Sequence, residues 1–261
     1  MTAPGQDAGA GHIPRAGQDP APQAARDPAR AWEGFWRDAP PEPGGVFWDA
    51  APERTAARHL PLFADHFTGG LPLLDAGCGN GTQTVFLAGR FRPVLGVDLS
   101  PAAIALARRL PGAAAVDFRA ADLADADVAA RLHAELGDCH VYLRGVLHQC
   151  PPEPRRRLAA SLAVLLGARG RAFVVEPAAA AKQTLLGLMR RPGGPPARIA
   201  AVLGHGIAPM EMADTAVAEL CAAAGLSVLA HGSAPLVTTE PGPGGGPVEL
   251  PSQWLVVGRN G

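Results

Sequence analysis

From residue 71 to residue 176 the chain alternates short, largely apolar runs with longer stretches whose apolar residues recur every third or fourth position. The runs 71–75, 93–97, 116–120, 140–143 and 171–176 have the length of strands and are largely apolar. Between them, 82 to about 90, 101–110, 126–136 and 152–166 carry helical periodicity. Ser100-Pro101 supplies a cap followed by proline at the first helical position, and Asn80 or Thr82 can cap the first helix. This alternation predicts an α/β fold with a doubly wound, Rossmann-like sheet. Right-handed crossovers then bring the carboxyl ends of the strands to one edge, where a ligand sits.

The flanks read differently. Residues 1–30 are mostly Ala, Gly, Pro, Gln and Asp, with too little apolar surface to offset the entropy of ordering, and predict a disordered tail. Residues 31–68 predict a helical, aromatic-rich cap: Trp32, Phe35 and Trp36 share one helical face, a Pro-rich piece follows, and a second helix is expected over 51–67, bent near Pro61. The main domain is expected over 69–261. Within it, 177–212 interrupts the alternation with a helix over 178–189, a Pro/Gly break and a short helix to Gly204. An insertion leaving the carboxyl end of a strand is placed to act as a lid. A helix over 213–224, a strand over 226–231, a Pro/Gly loop over 241–247 and a strand over 253–258 complete the chain.

Composition narrows the classes. The 261 residues are 48% hydrophobic and 18% charged, with a formal net charge of −1, which suits a globular core and argues against a basic nucleic-acid surface. Lys182 is the only lysine among 23 basic residues, a bias of base composition rather than a device. Four scattered cysteines lack metal-ligand spacing, so no metal site and a reduced, cytoplasmic protein are expected. No signal-like segment or apolar run near the ~18 residues of a membrane span is present, so no membrane role is expected.

The chemistry concentrates where the first strand breaks into Gly77-Cys78-Gly79-Asn80-Gly81. Alternating glycines allow a sharp turn and bring a ligand close to the main chain. Asp98 ends the next apolar run, where a carboxylate can accept from both hydroxyls of a ribose. A dinucleotide fingerprint would carry its third glycine where Thr82 stands, and Asp75 would repel a pyrophosphate but attract an ammonium group. Leu74-Asp75-Ala76-Gly77-Cys78-Gly79-Asn80-Gly81 with Asp98 resembles the class I S-adenosylmethionine (SAM) dependent methyltransferases over about residues 69–261.

That resemblance implies a seven-stranded, mostly parallel sheet with its last strand antiparallel, and SAM as cofactor. It implies Asp75, Gly77, Cys78 and Gly79 at the methionine part, Asp98 and Leu99 at the ribose, and Asp122 and Leu123 at the adenine. Each carboxylate has a plainer reading beside this one: Asp98 capping the turn at Ser100, Asp122 capping the helix near Asp125, and Asp75 ordering the loop through amides.

Arg144 suits the SAM carboxylate or an acidic acceptor, and equally a surface position. His148 is placed as a possible base for an acceptor proton, or as a residue shaping the pocket. Glu176, ending the fifth strand, faces the same edge and either contacts the acceptor or orders the insertion. Trp32, Trp36, Trp48 and His205 are candidates for the acceptor pocket, with core packing as the alternative for the aromatics. The expectation is methyl transfer to oxygen or nitrogen of a small-molecule acceptor, such as a secondary metabolite, by a monomer or homodimer that binds no nucleic acid. Two other readings stand: a non-methylating enzyme such as a cyclase that holds SAM as a structural ligand, and a nucleotide-binding Rossmann protein.

Overall fold

The computed structural model describes residues 27–260. Five strands run parallel: β1 (Leu73–Ala76), β2 (Val94–Asp98), β3 (Asp117–Ala120), β4 (His140–Arg144) and β5 (Arg171–Pro177). Next come β6 (Ser227–Ser233), β7 (Leu236–Pro241), β8 (Pro247–Leu250) and β9 (Ser252–Gly258). The main sheet has the order β3-β2-β1-β4-β5-β9-β6, and β9 lies antiparallel to both β5 and β6. This is the seven-stranded, mostly parallel arrangement with an antiparallel last strand that the resemblance implied.

The chain steps outward from β1 to β3 and then crosses back to place β4 on the other side of β1. At that reversal the loops leaving β1 and β4 diverge and leave a crevice at the strands' carboxyl ends. The register sets the two loops level, with Asp75 opposite Tyr142 and Ala76 opposite Leu143.

The helices are α1 (Pro28–Asp38), α2 (Ala56–Phe63), α3 (Thr82–Leu87), α4 (Pro101–Ala107), α5 (Ala126–Leu136), α6 (Pro152–Leu166), α7 (Ala181–Met189), α8 (Ala197–Gly204) and α9 (Ala216–Ala223). Successive strand residues point to opposite faces of the sheet. Leu74, Val97, Val141 and Val174 therefore pack with residues of α5, α6 and α9, whereas Leu73, Tyr142 and Phe173 pack with Phe63 of α2 and Leu87 of α3.

Three details differ from the periodicity. α1 begins at Pro28, capped by the Asp27 carboxylate accepting from Arg30 N at 3.0 Å, so order starts inside the stretch expected to lack it; the tail expectation otherwise lies outside the described residues. The expected helix over 51–67 is α2 flanked by 3-10 turns at 52–54 and 64–66. β7 and β8 form a separate hairpin around the Pro/Gly loop, which sequence alone left unstructured. Among the described residues no helix is long and apolar enough to cross a membrane, and no His/Cys/Asp/Glu cluster could hold a metal.

Candidate functional site

β1 is fully buried and ends in a loop drawn onto β2, because the Gly77 and Cys78 amides both donate to Val97 O at 2.8 and 3.0 Å. Gly77 and Gly79 adopt φ of +71° and +54°, a region that L side chains rarely visit. A Cβ at Gly77 would lie 2.5 Å from the Val146 side chain, and one at Gly79 would lie 2.8 Å from the Trp36 ring. Both the turn and the close approach require glycine.

Asp98 joins this loop to the next: one carboxylate oxygen accepts from Gly79 N and the other from Ser100 N, each at 2.9 Å. It is buried at the cavity wall, so it caps the turn at Ser100 while facing the cavity. Burial pushes its pKa up to about 6, against the pull of those amide bonds. Leu99, Asp122 and Leu123 line the same wall, and Asp122 accepts from Ala124 N at 2.8 Å.

Asp75 stands behind the loop rather than on the cavity wall. Its carboxylate accepts from the Thr84 hydroxyl at 2.6 Å, and burial raises its pKa to about 6 while that bond and the Arg144 charge oppose the rise. Cys78 lines the cavity, with burial pushing its thiol well above the usual range, and so it is a small wall residue rather than a nucleophile.

The turn after β4 is organised from the neighbouring strand. Glu176, 1% exposed, accepts from Val146 N and Leu147 N at 2.8 Å, from His148 N at 3.2 Å and from His148 Nδ1 at 2.6 Å. A buried carboxylate in that position holds the imidazole proton on Nδ1 and leaves the Nε2 lone pair available. Gln149 Nε2 lies 2.7 Å from that Nε2, as its donor, and Gln149 Oε1 is buried without a partner. Arg155 braces the turn from α6 by donating to Leu147 O and Cys150 O, both at 2.9 Å. His148 and Gln149 both line the cavity, whereas Glu176 acts from beneath it.

The N-terminal segment roofs this floor. Asn80 Nδ2 donates to the buried Asp49 carboxylate at 2.6 Å, Arg144 donates to Trp48 O at 3.1 Å, and Thr239 N donates to Phe47 O at 2.9 Å. From α1, Glu33 accepts from the Ser100 hydroxyl at 2.6 Å and from Ala102 N at 3.0 Å, so it caps α4 and fastens α1 over the end of β2. Trp32, Trp36 and Trp48 meet edge to face, with centroids 5.5 and 6.1 Å apart for the pairs including Trp48, and all three line the cavity. His205 stands outside it, paired with Asp38 at 3.3 Å and packed edge-on to Phe35.

α7 and α8 also line the cavity, and Met210 N donates to His148 O at 2.8 Å, tying the 177–212 insertion to the turn after β4. The enclosed space is about 1160 Å³. Glu33, Asp49 and Gln149 were not singled out in the sequence. The contacts that tie Glu33 and Asp49 into the site span 31 to 69 residues, and Gln149 meets its neighbour His148; no local pattern announces such contacts.

Residues 73–170 match the family model of a methyltransferase domain. A SAM-dependent methyltransferase structure from Anabaena variabilis ATCC 29413 is 33% identical, covers 90% of this chain and 96% of its own, and superposes with a TM-score of 0.82. Magnesium protoporphyrin IX methyltransferase from Synechocystis PCC 6803, solved with bound SAH, is 20% identical over 80% of this chain and 83% of its own, with a TM-score of 0.52. The 4+2 cyclase SpnF is 17% identical over 81% and 84%, also with a TM-score of 0.52. These last two share the fold alone. No curated protein matches the sequence.

Proposed function

The chain belongs to the class I SAM-dependent methyltransferases, and from that membership we propose that it methylates a hydroxyl oxygen of a small-molecule acceptor, with His148 as general base. The observation that carries the choice of oxygen is the His148–Glu176 pair at the cavity floor. A hydroxyl is a weak nucleophile until a positioned base takes its proton, and a histidine oriented by a buried carboxylate is suited to that task.

The residues present fit the cofactor. The cradle at Gly77 and Gly79 has no room for a Cβ, and a buried carboxylate with amide partners waits at the end of β2. Asp98 and Leu99 are assigned to the ribose and Asp122 and Leu123 to the adenine. Gly77, Cys78 and Gly79 take the methionine part, and Arg144 its carboxylate. Asp75 supports the loop from behind through Thr84. When bound, SAM supplies a methyl group on a positively charged sulfur, released to the acceptor oxygen as the carbon–sulfur bond breaks. His148 Nε2 accepts the hydroxyl proton, Glu176 steadies the resulting imidazolium, and Gln149 gives up its place at Nε2. The cap over 31–68 and the insertion over 177–212 are assigned to acceptor specificity and to keeping water out.

The test is transfer of an isotopically labelled methyl group from SAM into a metabolite extract, read by mass spectrometry. Label should appear in a small molecule as an O-methyl group, and should be lost in Asp98→Ala and His148→Ala. SAM binding without any transfer would sink the proposal.

A further inference from the structure

The cavity carries more than the reaction type. Pockets for one drug-sized ligand enclose roughly 300–1,000 Å³, so about 1160 Å³ exceeds what a single ligand needs. The loops after β1, β2 and β3 form one end, and every carboxylate there is already engaged. Asp98 holds Gly79 and Ser100, Asp122 holds Ala124, and Asp49 holds Gly44 and Asn80.

The other end is formed by α7, the start of α8 and the β7–β8 hairpin, and its wall is Leu185, Met189, Ile199, Leu236 and Leu250. Charge is sparse there. Lys182 and Glu211 neutralise one another at 2.6 Å on the exposed rim. The Thr238 hydroxyl is spent on Val248 O at 2.8 Å. His148 and Gln149 line the cavity together at one corner and bring polar groups to it.

Resting on the methyltransferase reading above, we infer that the acceptor is an uncharged, multi-ring, largely apolar molecule whose hydroxyl lies at one end. An acceptor of one ring would leave much of the apolar wall unfilled. At the apolar end a carboxylated one would bury its charge against aliphatic side chains, where Lys182 is already paired with Glu211 while Arg144 and Arg157 donate to Trp48 O and Ala124 O, a cost no contact at that end offsets. Once Gln149 gives up its place at His148 Nε2, its carboxamide is free to bond the acceptor's polar end, so Gln149 selects for that end while the lid selects for the apolar body.

The experiment offers the full-length protein and methyl-labelled SAM four probes: phenol, a naphthol, a hydroxyanthracene and a hydroxynaphthoate. Label transfer is followed by mass spectrometry, and probe binding by quenching of tryptophan fluorescence. Expected is a rise in kcat/KM from phenol to naphthol to hydroxyanthracene by on the order of tenfold per ring, as the discrimination of apolar pockets permits. The hydroxynaphthoate should be rejected. Leu186→Trp, narrowing the lid side, should move the preference back toward phenol, with SAM affinity as the check on folding.

Equal use of phenol and hydroxyanthracene, or preference for the carboxylated probe, overturns the inference and leaves the methyltransferase reading in place. Hydroxyanthracene binding without label transfer supports the ligand class and sinks hydroxyl methylation instead. Absence of binding by every ring system overturns the inference.

Discussion

Replacing Glu176 by Gln tests whether the carboxylate under the β4 turn serves the reaction or only the fold. The side chain accepts four hydrogen bonds, two of them from His148, and is 1% exposed. A carboxamide keeps one oxygen. Directed at the Val146 and Leu147 amides, it sets its NH2 against His148 N–H and Nδ1–H, leaving two buried donors facing a donor. Charge-assisted bonds contribute about 1.5–3 kcal/mol each, so the loss of stability should be about 2–4 kcal/mol. The imidazole then escapes the clash by moving its proton to Nε2, the nitrogen on which the acceptor's proton is to arrive. General-base catalysis contributes roughly 100- to 10,000-fold, so kcat should fall by about a hundredfold or more. Because Glu176 does not line the cavity, SAM affinity measured by calorimetry should stay within about threefold of wild type, separating loss of chemistry from loss of site. A folded Glu176→Gln protein with kcat within about threefold of wild type would refute the reasoning.

The Asp98 carboxyl, held up at about 6 by burial, must be ionised to receive two hydroxyls, so SAM affinity should weaken as pH falls through 6, by at most about tenfold per unit. Calorimetry from pH 5 to 8 checks this, and a flat profile contradicts it. In Gly79→Ala the new Cβ meets Trp36 at 2.8 Å in a left-handed backbone, and SAM affinity should drop by roughly tenfold or more. Adding Trp36→Ala should recover the steric share of that loss; no recovery means that the ring is not the obstacle. Glu33→Ala removes the acceptor for Ser100 and Ala102, and thermal unfolding should show a loss of about 1 kcal/mol. An unchanged midpoint means that α1 is held by its aromatics alone.

The parts of this site that were legible in the sequence are those in which local pattern and position coincide. The glycines after β1 must be glycine for their own φ, and Asp98 falls at the end of an apolar run because that is where β2 leaves the core. What was not legible depends on contacts between distant segments. Glu176 reads as the polar end of a strand until β4 and β5 are paired and its carboxylate lands under a turn 28 residues earlier in the chain. The β7–β8 hairpin was hidden because its strands carry Thr238, Glu240 and two prolines around a glycine run, and they pair with each other rather than with the main sheet. His205 sits in the insertion as expected, yet the packing of α8 onto α1 turns it toward Asp38, which no spacing encodes.

The two ends of the cavity have different genealogies in the chain. One is built from neighbouring loops of a continuous stretch between β1 and α5, with α1 and the 44–50 crossing laid over them, whereas the other is assembled from the insertion after β5 and the late hairpin. Those outlying pieces can be shortened, exchanged or recombined with little strain on the strands beneath them, because they join the sheet at its rim. With acceptor specificity assigned to these pieces as proposed above, rewriting the outskirts would change what the enzyme alkylates while the loops after β1, β2 and β3 stay as they are.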